Sequence, residues 1–273
     1  MTPEESRATA EKRGVKREPN GPALLPGVEE LLADRARARP APLIAAVGAG
    51  GKTATCWALA RACAARGLAV VVTTTTRMAR EPGLAQDLAQ VRARVAPGSV
   101  VLAGTPVEPE AAPRPGGTAK FGPLRDAELD ELTDLADLVI VEADGSRQLP
   151  LKAPAAHEPV VPPAADLLLV CAGLSALGRR WEQVCFRPEL ARPLVGEEAW
   201  GRPVDPPALA RLVEAAYLRH PALAPWSSRR LMVLNQADDP QRLAGGRAVA
   251  AAVADVPSVC TAWGSPTPDE GAR

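Results

Sequence analysis

The chain predicts a doubly wound α/β fold on a mostly parallel sheet. Three observations lead there. From Leu43 onward, short apolar runs alternate with Ala-rich or amphipathic stretches. The runs are continuously apolar, as in strands buried on both faces. The first of them passes straight into the loop Val47-Gly48-Ala49-Gly50-Gly51-Lys52-Thr53 and then into a helical stretch.

The elements follow in order. Met1 to Pro19 is charged and lacks apolar periodicity, which predicts a disordered arm, and Leu24 to Arg37 suits a short helix. Residues 1–40 thus read as a partly disordered N-terminal arm, 41–265 as the α/β domain and 266–273 as a tail. Leu43 to Val47 is the first strand and Ala54 to Arg66 the helix after it, ended by Gly67. Leu68 to Val72 is a strand, Leu84 to Arg94 a helix and Ser99 to Ala103 a strand. Residues 107–117, rich in Pro, Gly and Ala, form an exposed loop. Asp126 to Leu135 is a helix with leucines at 129, 132 and 135, followed by the central strand Leu138 to Val141. Asp166 to Cys171, Arg230 to Leu234 and Ser258 to Ala262 are further strands. Pro207 to Leu218 and Arg242 to Ala254 are helices.

Composition excludes several function classes. Basic and acidic residues are equal at 32 each, so no global field draws nucleic acid or an anionic membrane. Aromatics make up 3% of the chain, too few for base-stacking platforms. No apolar run approaches a membrane span and no signal peptide is visible, which predicts a cytoplasmic protein. Five cysteines without paired metal spacing fit reduced, mostly buried thiols. Cys171 and Cys185 are either such structural residues or reactive thiolates.

The loop carries the first chemical signal. Strand, glycine loop, Lys-Thr and helix form the setting in which backbone N–H groups and a helix N-terminus hold phosphate. This predicts a three-layer sandwich of the phosphate-loop NTPase kind. Gly48, Gly50 and Gly51 shape the loop, Lys52 reaches the terminal phosphates and Thr53 holds Mg²⁺. Counting back five residues from Gly51 lands on Ala46, so the loop is about two residues shorter than the common pattern.

In such sheets ligands bind beyond the carboxyl ends of strands. Thr73-Thr74-Thr75-Thr76-Arg77 either extends a strand edge or sets hydroxyls and a guanidinium, Thr75 and Arg77 foremost, beside phosphate. Glu142-Ala143-Asp144-Gly145-Ser146 ends a strand in acids suited to Mg²⁺, with Gly145 placed to meet the terminal phosphate. Glu142 and Asp144 are equal candidates for the metal. The proline-stiffened stretch Leu149 to Pro159 holds Lys152, a partner for a substrate anion, and His157 with Glu158 for acid–base work; it also suits a rigid surface turn. Asn235-Gln236-Ala237-Asp238 resembles the Asn-Lys-x-Asp of guanine-specific proteins, with Asn235 and Asp238 on the base, which favours GTP over ATP. The same segment suits a helix N-cap at Asp238 or Asp239 ahead of Pro240.

Taken in this order, these segments resemble the selenium-dependent molybdenum hydroxylase accessory family, the YqeC-like proteins, over roughly Pro42 to Pro240. The Glu-Ala-Asp-Gly-Ser and Lys-Ala-Pro…His-Glu-Pro stretches carry the likeness. Lys120-Phe121-Gly122 and Arg187-Pro188-Glu189 also match, while Ala119 stands where the family usually has glycine. The resemblance implies nucleotide and Mg²⁺ as ligands, and a molybdenum hydroxylase or a cofactor-maturation protein as partner. Lys120, Lys152, Glu158 and Arg187 become candidates for a second substrate. Catalysis would fall to Lys52, Glu142, Asp144, His157 and Arg77. Four readings stay open: an NTP hydrolase, a kinase-like transferase acting on a small cofactor precursor, a nucleotide-gated chaperone that turns over slowly or not at all, and a degenerate fold whose short glycine loop binds no nucleotide.

Overall fold

The computed structural model describes residues 16–18, 24–35, 39–79, 82–107 and 120–263. The loop expected at 107–117 lies outside them except for Val107, as do Ala119, the 266–273 tail and most of the expected arm. Along the chain, β1 (Lys16–Glu18) precedes helix α1 (Pro26–Arg35). Then come β2 (Leu43–Gly48), α2 (Lys52–Ala64), β3 (Val70–Thr74), β4 (Met78–Ala79), α3 (Leu88–Arg94), β5 (Val100–Leu102) and β6 (Thr105–Val107). β7 (Lys120–Gly122) leads through α4 (Asp126–Leu135) to β8 (Leu138–Glu142), β9 (Leu151–Lys152) and β10 (Leu167–Gly173). Four helices surround the two-residue β11 (Cys185–Phe186): α5 (Trp181–Val184) before it, and α6 (Pro188–Val195), α7 (Glu197–Trp200) and α8 (Pro206–Val213) after it. β12 (Arg230–Asn235), α9 (Pro240–Ala252) and β13 (Ser258–Thr261) complete the order.

Seven strands form the central parallel sheet in the order β13-β12-β10-β2-β8-β3-β5, and β1 adds to the β13 edge. The doubly wound α/β class is therefore the observed one. Lys16–Glu18, within the segment expected to be disordered, pairs in parallel with Val259 to Thr261. β2 sits mid-sheet. From it the chain runs to β3, β5 and β8 on one side, then crosses to β10, β12 and β13 on the other. That reversal makes the carboxyl end of β2 the topological switch point, where open α/β sheets leave a crevice.

Both faces of the sheet are covered, which is why its strands read as unbroken apolar runs. Val71, Val139 and Val141 face Leu132 of α4 and join a core that includes Leu209, Leu212 and Val249 of α8 and α9. The intervening residues Val70, Val72, Leu138 and Ile140 face α2 through Leu59, Ala60 and Cys63, with Val28 and Leu32 of α1 behind. Each such side chain contributes about 1.5–3 kcal/mol on burial. Helix starts are fixed locally: Asp87, Asp205 and Asp239 each accept from a backbone N–H three residues on, at 2.8 Å.

Four features depart from the expected elements. The helix expected at Leu84 to Arg94 begins only at Leu88, capped by Asp87, while Ala85 bridges to Ala103. The helix expected at Pro207 to Leu218 is α-helical only to Val213 and continues as a π-turn over Glu214–Leu218. β9 and β11 pair in parallel as a small ribbon, and β4, β7 and β6 make a separate antiparallel sheet. No helix among the described residues is long and apolar enough to cross a membrane.

Ile140 is fully buried on β8. Ile140→Ala is expected to lower unfolding stability by about 2–5 kcal/mol, read as a fall in urea midpoint at constant m-value.

Candidate functional site

The loop leaves β2 with φ of 89° at Gly48 and 67° at Gly50. A Cβ at Gly48 would overlap the Cys171 carbonyl oxygen, and one at Gly50 would stand 2.6 Å from the Pro150 carbonyl oxygen. The short loop thus lies tight against the ends of β10 and the segment before β9. Its first amides are committed there. Gly48 N–H donates to Asp144 Oδ2 at 3.1 Å, Ala49 N–H to the Cys171 carbonyl at 3.0 Å, and Gly50 N–H to the Leu149 carbonyl at 3.2 Å. The expectation that the whole loop curls its amides round an anion therefore narrows to the start of α2. There Gly51 is the N-cap, and no side chain caps the helix.

Lys52 and Thr53 open that helix. The Lys52 side chain is buried, and its Nζ donates to the Gly48 carbonyl at 2.8 Å and to Ser146 Oγ at 3.3 Å. The ammonium thus folds back over the loop toward the acidic strand end. Thr53 Oγ1 donates to Glu142 Oε2 at 2.7 Å. Parallel registers put Glu142 opposite Ala46 on one side and Thr74 on the other, so the carboxylate belongs to the β2 crevice.

The two acids of this strand end have different environments. Burial pushes the Glu142 carboxyl up, Lys52 and the Thr53 bond oppose the shift, and Asp144 adds to it. Burial likewise raises Asp144, against the pull of Lys152 and Lys52. The Asp144 carboxylate is fully engaged: it accepts from Gly48 N–H, from Tyr217 OH at 3.0 Å, and from Lys152 Nζ. Among the described residues, Glu142 has only the Thr53 hydroxyl as a side-chain hydrogen-bond partner. A hydroxyl and a carboxylate 2.7 Å apart are the hard oxygen donors that suit Mg²⁺, which usually takes one or two protein ligands beside water and phosphate.

Lys152, expected to meet a substrate anion, is instead buried between Asp144 and Glu158, 2.7 Å from the latter, and donates to the Gly145 carbonyl at 2.7 Å. Its charge is compensated within the fold. Burial opposes ionisation of Glu158, but hydrogen bonds from Arg187 and Lys152 outweigh it and hold the carboxyl down at about 2. Arg187 clamps Glu158 with two guanidinium nitrogens from a backbone with φ of 60°. His157, beside this network in sequence, is exposed. The Phe186 ring collects three cations, with the Arg187 and Arg147 guanidinium carbons 4.5 and 4.9 Å from its centroid and Lys152 Nζ at 5.6 Å. Arg147 did not stand out in the sequence, although it directly follows the acidic segment; only the β9–β11 pairing brings it to Phe186.

The threonine run braces Glu142. Thr74 Oγ1 donates to the Glu142 carbonyl at 2.7 Å, Thr75 N–H to the same oxygen at 3.2 Å, and Thr75 Oγ1 to the Val160 carbonyl at 2.7 Å. Arg77 is exposed just before β4, whose Ala79 pairs in register with Lys120 on β7, so Lys120 lies in the small antiparallel sheet and Arg77 immediately precedes it. The Asn-Gln-x-Asp segment is split. Asn235 is buried under Gly51, and its Oδ1 accepts from Thr55 and Thr261. Asp238 is exposed and pairs with Arg242 at 3.1 Å, while Asp239 caps α9. All five cysteines are buried, and burial pushes every thiol up, Cys171 and Cys185 to about 12.

Residues 44–189, just over half of the chain, match the YqeC protein family. The chain belongs to the YqeC family. The matched span holds the loop from Gly48 to Thr53, the acidic strand end and the network to Arg187; Asn235 and Asp238 lie beyond it. The chain is also 30% identical over 167 residues to the uncharacterized protein YqeC of Escherichia coli (strain K12), a stretch covering 54% of this chain and 60% of that relative. It thus spans three fifths of the length of the YqeC relative it matches.

Three outcomes test this geometry. Gly50→Ala is expected to cost about 2 kcal/mol or more in urea unfolding, because it adds a clash to a left-handed backbone. Glu142→Gln removes a buried, weakly compensated charge and is expected to raise stability by on the order of 1 kcal/mol in the absence of ligand. Glu158 has a folded value near 2 against an ordinary value of 4.5, so its stabilisation is complete above pH 4.5 and fades as pH falls toward 2. Glu158→Gln is expected to be less stable at pH 7 and to lose stability less steeply across that acid range.

Proposed function

We propose that the chain is a Mg²⁺-dependent, phosphate-loop nucleotide-binding protein with NTPase-like chemistry, acting as an accessory in the maturation of selenium-dependent molybdenum hydroxylases. One observation carries the nucleotide reading. A buried lysine at a helix start folds its ammonium over a glycine loop, next to a Thr–Glu oxygen pair, at the switch point of a parallel sheet. The accessory role is carried over from the family resemblance drawn in the sequence.

In this reading Lys52 and the first amides of α2 hold the β- and γ-phosphates, and Gly145 lies close to the terminal one. Thr53 and Glu142 hold Mg²⁺, which neutralises phosphate charge when bound. Asp144 keeps Gly48 and Lys152 in place and is not a metal ligand. Asn235 supports Gly51 from below, so base recognition falls to Asp238, and guanine is favoured. Tight nucleotide binding at 100-fold excess over Kd should add about 2.7 kcal/mol of stability. The largest thermal shift is expected with Mg²⁺ and GTP, a smaller one with ATP or CTP, and none in Lys52→Ala. No shift with any nucleotide in the wild-type chain overturns the reading, and a larger shift with ATP than with GTP overturns the base assignment. For the accessory role, loss of the chain should lower selenium-dependent hydroxylase activity without lowering the amount of that enzyme.

One observation favours the transferase reading over simple hydrolysis: Arg147, directly after the residue that meets Lys52, stands on the Phe186 ring with no carboxylate partner among the described residues.

A further inference from the structure

Among the described residues, one cation of the Phe186 cluster has no counter-charge. Arg187 is clamped by Glu158, and Lys152 lies between Asp144 and Glu158. The Arg147 side chain, by contrast, is exposed and makes no ion pair or hydrogen bond among the described residues; its one contact of this kind is the Phe186 ring. Backbone geometry places it there. Arg147 and Gln148 are consecutive non-glycine residues with φ of 49° and 64°, a conformation that persists only where the surroundings impose it. The residue before them, Ser146, holds its hydroxyl 3.3 Å from Lys52 Nζ. Arg147 thus follows directly in sequence the residue that meets Lys52, and among the described residues it has no carboxylate partner.

We infer that Arg147, backed by Phe186, binds an oxyanion group, phosphoryl or carboxyl, of a second substrate beside the nucleotide. A guanidinium offers two parallel donors to either group, and the ring behind it holds the fork in plane without neutralising it. The identity of the neighbouring ligand rests on the nucleotide reading above; the anion site has its own test.

The full chain, saturated with Mg²⁺ and the non-hydrolysable β,γ-imido analogue of GTP, is titrated calorimetrically with inorganic phosphate and separately with acetate. Saturable binding of at least one probe is expected, and the tighter probe tells phosphoryl from carboxyl. Arg147→Gly should weaken it tenfold or more. Glycine accepts the φ of 49°, so this variant keeps the backbone, and an unchanged melting temperature verifies it. Arg147→Lys, which keeps the charge and loses the fork, should fall between. Unchanged affinity in Arg147→Gly, or no saturable binding of either probe to the wild-type chain, overturns the inference. Lys52→Ala separates the two readings. Phosphate binding lost in Lys52→Ala and kept in Arg147→Gly assigns the anion to the loop and overturns this site. A wild-type chain that ignores nucleotide but shows Arg147-dependent phosphate binding overturns the nucleotide reading and supports this one.

Discussion

The Asp144 carboxylate ties the site together. It is fully buried, yet it accepts from the first amide of the glycine loop, from a lysine of the β9–β11 ribbon and from the tyrosine of a π-turn. Three segments far apart in sequence thus converge on one charge. Removing one partner from a buried ion pair typically costs about 3–5 kcal/mol, because the charge left behind has no solvent to turn to. The arrangement persists because every member is engaged: Lys152 has Glu158 and the Gly145 carbonyl as well, and Glu158 has Arg187.

That convergence assigns different work to neighbouring acids. Asp144 and Glu142 lie two residues apart on one strand end, and burial raises both. Asp144 is saturated by fixed donors and positions the loop. Glu142 has the Thr53 hydroxyl as its side-chain partner among the described residues. The threonines of β3 add to the contrast by gripping the Glu142 carbonyl, which fixes the backbone and leaves the carboxylate to its chemistry. The π-turn belongs to the same economy of contacts, since a helix that departs from α geometry carries Tyr217 to Asp144.

Much of this was legible before the structure. The sheet declared itself through unbroken apolar runs, and Asp126–Leu135 emerged with the expected limits because its leucines recur at helical spacing. The glycine loop and the acidic strand end were visible as types of residue at strand ends. Their partners were not. Two-residue strands such as Leu151–Lys152 carry no periodicity, so nothing local shows that Lys152 is enclosed by carboxylates or that Arg147 meets Phe186. Asn235 and Asp238 look like one motif in sequence, yet the turn at Gln236, with φ of 65°, sends one inward and the other to solvent. The short loop also concealed how many of its amides the fold consumes, since those acceptors come from Cys171, Leu149 and Asp144, each roughly 100 residues or more away.

The burial of the cysteines bears on the accessory role proposed above. Carrying selenium or sulfur as a covalent adduct requires a thiolate that can reach an electrophile. All five thiols of this chain lie in the packed interior, with values raised above the ordinary thiol range. Burial therefore disfavours the thiolate at each of the five cysteines of the folded chain. On the accessory role proposed above, selenium would pass bonded to a donor or a client rather than to one of these cysteines.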